Sequence, residues 1–126
     1  MKKIVILVEK TATGFSAYAR DYSVYSTGSS MAELTQHMVE ALTLYFETIE
    51  ADREVKETDL AFEVDLQSVF EVFPVNVKAL AQRIGMNYTL LSQYVTGQKV
   101  ASAKQKKRIL EGIHAIGREM AELSLV

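Results

Sequence analysis

Residues 77–97 read VKALAQRIGMNYTLLSQYVTG, and this stretch decides how the rest of the chain is read. Val77, Leu80, Ala81 and Ile84 recur at i, i+3, i+4 and i+7, one face of a helix. Asn76 precedes them as a cap for the first turn. Gly85 falls where this helix must stop, because glycine tolerates the left-handed conformation that such a stop uses. Asn87 then caps a second helix, with Met86 and Leu91 at the spacing of a hydrophobic staple. In that helix Leu90, Leu91, Tyr94 and Val95 point back toward the first. Tyr88, Thr89, Ser92, Gln93 and Thr96 fall on the other side, and Gly97 ends the unit.

The outer side is polar, uncharged, and rich in hydroxyls and amides. That composition fits the second helix of a helix-turn-helix, which lies in the DNA major groove and reads base edges. The plainer reading is a helical hairpin packed inside an unrelated domain. The residues after Gly97 favour the first reading. A loop at 98–101 leads to Ser102-Ala103-Lys104-Gln105, which has the pattern of a capping box, and a last helix is expected to run to about Leu123. Ile109, Ile113, Ile116, Met120 and Leu123 form its apolar stripe. Gly112 and Gly117 lower its propensity by roughly 1 kcal/mol each, which fits close packing against another helix, in this chain or a twin subunit. Lys104, Lys106, Lys107 and Arg108 crowd its first turns, where positive charge opposes the helix dipole. A nearby phosphate strand would account for a placement that stability alone disfavours. A solvated charge run is the bland alternative.

The 126 residues suit one medium domain or two small ones, and 48% are hydrophobic, enough for a core. There is no cysteine, hence no disulfide frame, thiol catalysis or thiolate metal site. No apolar run reaches membrane-spanning length. The start, MKKIVILVEK, has too short an apolar run for a signal core and no small-residue cleavage site, so it reads as a strand, and a cytoplasmic location is expected. The net charge of −2 conceals an asymmetry: residues 1–73 carry six Lys/Arg against thirteen Asp/Glu, residues 74–126 eight against three. The basic part is the part with the helix-turn-helix pattern, as phosphate binding requires.

The earlier part of the chain alternates. Residues 3–9 hold a β-branched run that fits a strand buried on both faces. Phe15, Ala17 and Ala19 oppose Ser16, Tyr18 and Arg20 in a second strand, forming a hairpin with the first. A short third strand is expected at 23–26, closed by Thr27-Gly28-Ser29. Ser30-Met31-Ala32-Glu33 is a capping box that opens a long helix. Leu34, Met38, Leu42, Tyr45 and Ile49 would cover the sheet, with Glu33, Gln36, Glu40, Glu47 and Glu50 outward. After a charged connector, Leu60, Phe62 and Val64 alternate with Ala61, Glu63 and Asp65 in a fourth strand. Leu66, Val69, Phe70 and Phe73 fit helix spacing, whereas Val72 and Phe73 fit an extended segment equally well; the favoured reading is a short helix over 66–73 leading into the second domain, and Pro74 disfavours helix at Phe73. The expected class is therefore α+β: a small β-β-β-α-β domain over 1–73, then an all-α helix-turn-helix domain over 74–126.

The first part resembles the HicB antitoxin domain, a small sheet with one long helix described as a partial RNase H fold. The resemblance rests on the first strand into Glu9-Lys10, on Gly14-Phe15-Ser16-Ala17-Tyr18, on residues 27–34 (TGSSMAEL) and on Val39-Glu40-Ala41-Leu42. The second part is similar to the helix-turn-helix that HicB proteins often carry, on Leu80-Ala81, Ile84-Gly85-Met86-Asn87, Leu90-Leu91-Ser92-Gln93-Tyr94, Gly97 and the Ser102–Gln105 helix start. The resemblance implies a bacterial toxin–antitoxin context. The first domain would bind and inhibit a small basic RNA-cleaving toxin of HicA type, and a dimeric second domain would repress its own operon. In one place the chain departs from the family: Arg20-Asp21-Tyr22-Ser23 stands where HicB domains often carry an Asp-Leu-Pro-Gly-like segment.

The RNase H likeness raises the question of a nuclease. Two-metal cleavage needs carboxylates converging on paired ions. Glu9, Asp21, Glu47 and Asp65 are the candidates, but nothing in their spacing demands convergence. His37 and His114 are isolated on helices, no serine sits in a nucleophile elbow, and Gly28 belongs to no phosphate-binding loop. The expectation is a non-enzymatic, sequence-specific repressor without metal or cofactor. Tyr88, Thr89, Ser92 and Gln93 are expected to read bases. Arg83, Asn87, Lys99, Lys104 and Lys107 are expected to hold phosphates, and a homodimer or higher oligomer to engage double-stranded operator DNA. The alternatives are a protein-binding or dimerisation module without DNA binding, and a regulator with no toxin partner.

Overall fold

The computed structural model of the chain describes residues 2–51 and 53–125. Two compact units divide it, Met1–Val72 and Phe73–Val126. The class is α+β, as the alternation and periodicity require.

The first unit is a four-stranded mixed sheet with one long helix and one short one. Its elements are β1 (Ile4–Lys10), β2 (Phe15–Ala19), β3 (Tyr25–Gly28), α1 (Met31–Thr48), β4 (Leu60–Val64) and α2 (Leu66–Val72). The strand order is β3-β2-β1-β4, with β1 antiparallel to β2 and parallel to β4. Ile4, Ile6 and Val8 of β1, Ala17 and Ala19 of β2, and Leu60 of β4 form one buried layer. Leu34, Met38, Leu42 and Phe46 of α1 close over it. Three of those four helix residues have no exposed surface at all, and each such side chain contributes about 1.5–3 kcal/mol on burial.

Several local expectations are corrected. The apolar stripe of α1 ends on Phe46; Tyr45 is half-buried and Ile49, the C-cap residue, is about half exposed. Phe46 wins because its ring meets Tyr22 and Tyr45 edge-on, at centroid separations of 5.0 and 5.6 Å. The same cluster shifts the third strand from 23–26 to Tyr25–Gly28. Tyr22 joins the aromatic cluster, Val24 is buried outside any strand, and the Ala19 amide donates to the Val24 carbonyl. Pairing begins only where Tyr25 faces Tyr18. Strand β1 is buried on one face only, with Val5 and Leu7 half exposed on the other.

Two glycines permit the close approach of β3 to its neighbours. A Cβ on Gly28 would clash with the Leu34 backbone nitrogen and lie 2.7 Å from the Leu34 Cα. A Cβ on Gly14 would clash with the Gly28 carbonyl oxygen and lie 2.9 Å from the Ser29 Cα. His37 adds a bond from α1, its Nδ1 donating to the Thr27 carbonyl at 2.7 Å. α2 belongs to this unit: buried Ser68 accepts from the Lys10 amide and donates to the Asp65 carbonyl.

The start of α1 is capped in a modified way. Ser30 accepts from the Glu33 amide, but the Glu33 carboxylate reaches Ser29 rather than the cap residue itself. The Ser29 backbone N–H, and after it the Ser29 hydroxyl, hold the Glu33 carboxyl below its ordinary value. The charged form is thus favoured in the folded protein. Its contribution is complete above the unfolded-state value near 4.5 and disappears as pH falls through the lowered folded-state value. Denaturant unfolding from about pH 6 down to about pH 3 is expected to show this loss, and Glu33→Gln to remove that part of the acid limb. An acid limb identical in Glu33→Gln would contradict the assignment.

The second unit has three helices: α3 (Val77–Ile84), α4 (Tyr88–Thr96) and α5 (Ala103–Ala121). α3 packs against both others. Leu80, Leu91 and Ile109, fully buried, and Ala81, Met86 and Ala101 form its core. α5 stops two residues before the expected Leu123, and its stripe is buried only at Ile109; Met120 and Leu123 are exposed.

Candidate nucleic-acid interface

Helix α4 is positioned by local chemistry at both ends. The Asn76 side chain accepts from the Ala79 amide at the start of α3. Gly85 ends α3 in the left-handed region at φ 66°, and the Met86 amide closes the turn on the Ala81 carbonyl. Met86 is buried, so the chain re-enters the core before Asn87 opens α4 by accepting from the Leu90 amide at 3.2 Å. Gly97 ends α4 with φ 82°.

With Leu91 fully buried, the opposite side of α4 faces outward. Tyr88 and Thr89 are exposed, and Ser92 and Gln93 are half-buried. The structure brings these four onto one face. Thr96 continues that face, but its hydroxyl is turned back to the Ser92 carbonyl at 3.0 Å.

The expected phosphate ligands are less uniform. Lys99, Lys104 and Lys107 are exposed and, among the described residues, form no ion pair. Asn87 commits its side-chain oxygen to the cap, so an anion there would meet the backbone N–H groups of the first turn. Arg83 pairs with Glu119 of α5, with both side chains well exposed. That pair is solvent-screened and easily exchanged for another anion.

Sequence reasoning grouped Arg108 with the lysines, but the structure separates it. Its Nη1 donates to the Gln105 side-chain oxygen at 2.9 Å and its Nη2 to the Ile84 carbonyl at 2.8 Å. The Ser102 hydroxyl accepts from the Gln105 amide at 3.2 Å, but Gln105 spends its side-chain oxygen on Arg108, which leaves the expected capping box one-sided. The Arg108 bond sets the lysine-bearing first turns of α5 beside the turn that opens α4. One arginine among three lysines, three residues after a glutamine, is the only sequence signal of this role.

Gly112 is a second point of close approach: a Cβ there would lie 2.5 Å from Ile84 Cγ2 and 3.0 Å from Leu80 Cδ1. Gly117, five residues on, has nothing within 4 Å of its Cβ position. One notch of α5 is filled from within the unit and the other opens to space.

The four carboxylates weighed for metal-dependent cleavage are not gathered. Glu9 is exposed near the end of β1, Asp21 is paired with Arg20 at 3.4 Å, Glu47 is on the outer side of α1, and Asp65 follows β4. Among the described residues no group of three or more His, Cys, Asp or Glu could hold a metal ion. Nor is any described helix long and apolar enough to cross a membrane. No protein-family model matches the chain, and no curated protein matches it.

Proposed function

We propose that the chain is a cytoplasmic, sequence-specific DNA-binding transcriptional repressor of HicB antitoxin type, without catalytic activity of its own. The observation that carries this reading is the outward face of α4. It is built of hydroxyl and amide groups and held by two capped turns, and Lys104 and Lys107 stand exposed on the first turns of α5, which Arg108 joins to the turn before α4. Such groups match the donor and acceptor pattern of base edges in the major groove, and the lysines match the phosphates beside it.

In this reading Gln93 pairs with an adenine edge, and the Thr89 methyl contacts thymine. Tyr88 and Ser92 complete the base-reading set. Lys99, Lys104 and Lys107, with the first-turn amides at Asn87, hold the backbone, and Arg83 joins them on exchanging Glu119 for a phosphate. One such helix spans few base pairs, so two copies on a palindromic site are required. The exposed Met120 at the end of α5 and Leu123 just beyond it suit the pairing of two copies. The acidic first unit would carry the antitoxin role by binding a small basic RNase of HicA type.

Gln93→Ala is the direct test. Its expected effect is a loss of about 1–3 kcal/mol of discrimination at one base pair, with binding to other sequences little changed. Measured across a panel of single-base operator variants, a uniform loss on all sequences would remove Gln93 from the base-reading set.

A further inference from the structure

We propose that Arg108 is a positioning residue for DNA reading: it fastens α5 to the α3–α4 turn and thereby fixes the orientation of α4. This rests on the repressor reading for its functional consequence, but not for its geometry.

Ile84 is the last residue of α3, and carbonyls in a final helical turn lack intrahelical partners. The amides of Gly85 and Met86 satisfy the Gln82 and Ala81 carbonyls. The Ile84 carbonyl is met from outside the helix by Arg108 Nη2 at 2.8 Å, with a longer reach to the Gly85 carbonyl at 3.4 Å. A guanidinium there also opposes the negative end of the α3 dipole. Gln105 holds the other arm of the fork, so the group is oriented from both sides.

Ile84 is gripped twice by α5, through its carbonyl at Arg108 and through its side chain at the Gly112 notch. Fully buried Ile109 lies between these points. Tyr88 begins α4 four residues after Ile84, so a rotation of the turn displaces every outward residue of α4 together. The charge of Arg108 is spent on carbonyls, whereas Lys104 and Lys107 extend theirs to solvent. Lysine at 108 would keep the charge and lose the planar fork that spans Gln105 and Ile84.

The test compares Arg108→Lys, Arg108→Gln and Lys107→Gln in the full chain. Two quantities are measured: amide hydrogen exchange of the free protein over residues 85–91, and affinity for cognate and scrambled DNA across a salt series. Arg108→Lys is expected to speed exchange over the turn about tenfold and to cut cognate affinity by a similar factor, the loss of a charge-assisted hydrogen bond. It is also expected to narrow discrimination and leave the salt slope unchanged. Arg108→Gln should do the same, whereas Lys107→Gln should lower the slope and leave exchange unchanged. Unaltered exchange in Arg108→Lys overturns the proposal, and so does a reduced salt slope in Arg108→Gln. Accelerated exchange in a protein whose parent form shows no DNA preference upholds the clamp on the turn and overturns the repressor reading instead.

Discussion

Alanine at position 28 is expected to destabilise the first unit by about 3 kcal/mol, the upper end of the range for overpacking, because the added methyl meets backbone rather than a movable side chain. Gly28 ends β3 opposite Phe15, and its missing Cβ lets the strand pass against the first turn of α1. The nearest atoms are the nitrogen and Cα of Leu34, a residue with no exposed surface. Neither atom can withdraw without lifting Leu34 from the core or breaking the β2–β3 ladder. Urea unfolding with tryptophan-free probes (tyrosine fluorescence or far-UV dichroism) measures the effect. Gly117→Ala is the control: with nothing within 4 Å of the new methyl, higher helix propensity alone is expected to gain up to about 1 kcal/mol. Parent-like stability in Gly28→Ala would mean that β3 does not approach α1 in this register.

Removing both Lys104 and Lys107 is expected to weaken DNA binding on the order of 10–100-fold near 0.1 M salt and to reduce the salt slope by about two. The effect comes from counterion release. Each lysine that neutralises a phosphate frees one condensed cation, so two lost contacts remove two such contributions on every sequence alike. Lys104 and Lys107 lie one helical turn apart on α5, and Arg108 sets that part of the helix against the turn opening α4. Both are exposed, so their removal costs the fold little, and relief of unfavourable charge at the α5 N-terminus offsets even that. A double variant that binds cognate and scrambled DNA with parent affinity would end the phosphate assignment.

How much of this was legible in the sequence follows from the range of the interactions. The caps Asn76, Asn87, Ser30 and Ser102 and the stops Gly85 and Gly97 act within four residues and all occupy the cap positions read for them, although the return half of the capping box is missing at both Ser30 and Ser102. Met86 and Leu91, read as a staple, are both buried, and the polar face of α4 was legible for the same reason as the caps. What failed depends on contacts distant in sequence. The third strand starts two residues late because Tyr22, just before it, packs against Tyr45 and Phe46, over twenty residues away. The stripe of α1 follows Phe46 rather than Ile49 because of that cluster. Gly28 resembled an ordinary turn glycine until Leu34 came up against it. Arg108 shared its setting with three lysines, and only the carbonyl 24 residues earlier distinguishes it. The second face of β1 was misread because a short apolar run cannot reveal whether one or both faces are fully buried.

The central claim is that α4 and the start of α5 together read DNA. Its most direct test is equilibrium binding of the purified full-length chain to DNA from upstream of its own gene, against scrambled DNA of equal length, across a salt series. The account predicts preferential binding to the upstream fragment, two copies per site, and an affinity that falls linearly with salt on logarithmic axes. Equal affinity for both fragments at every salt concentration would contradict it and leave the acidic first unit, with a basic protein partner, as the functional part of the chain.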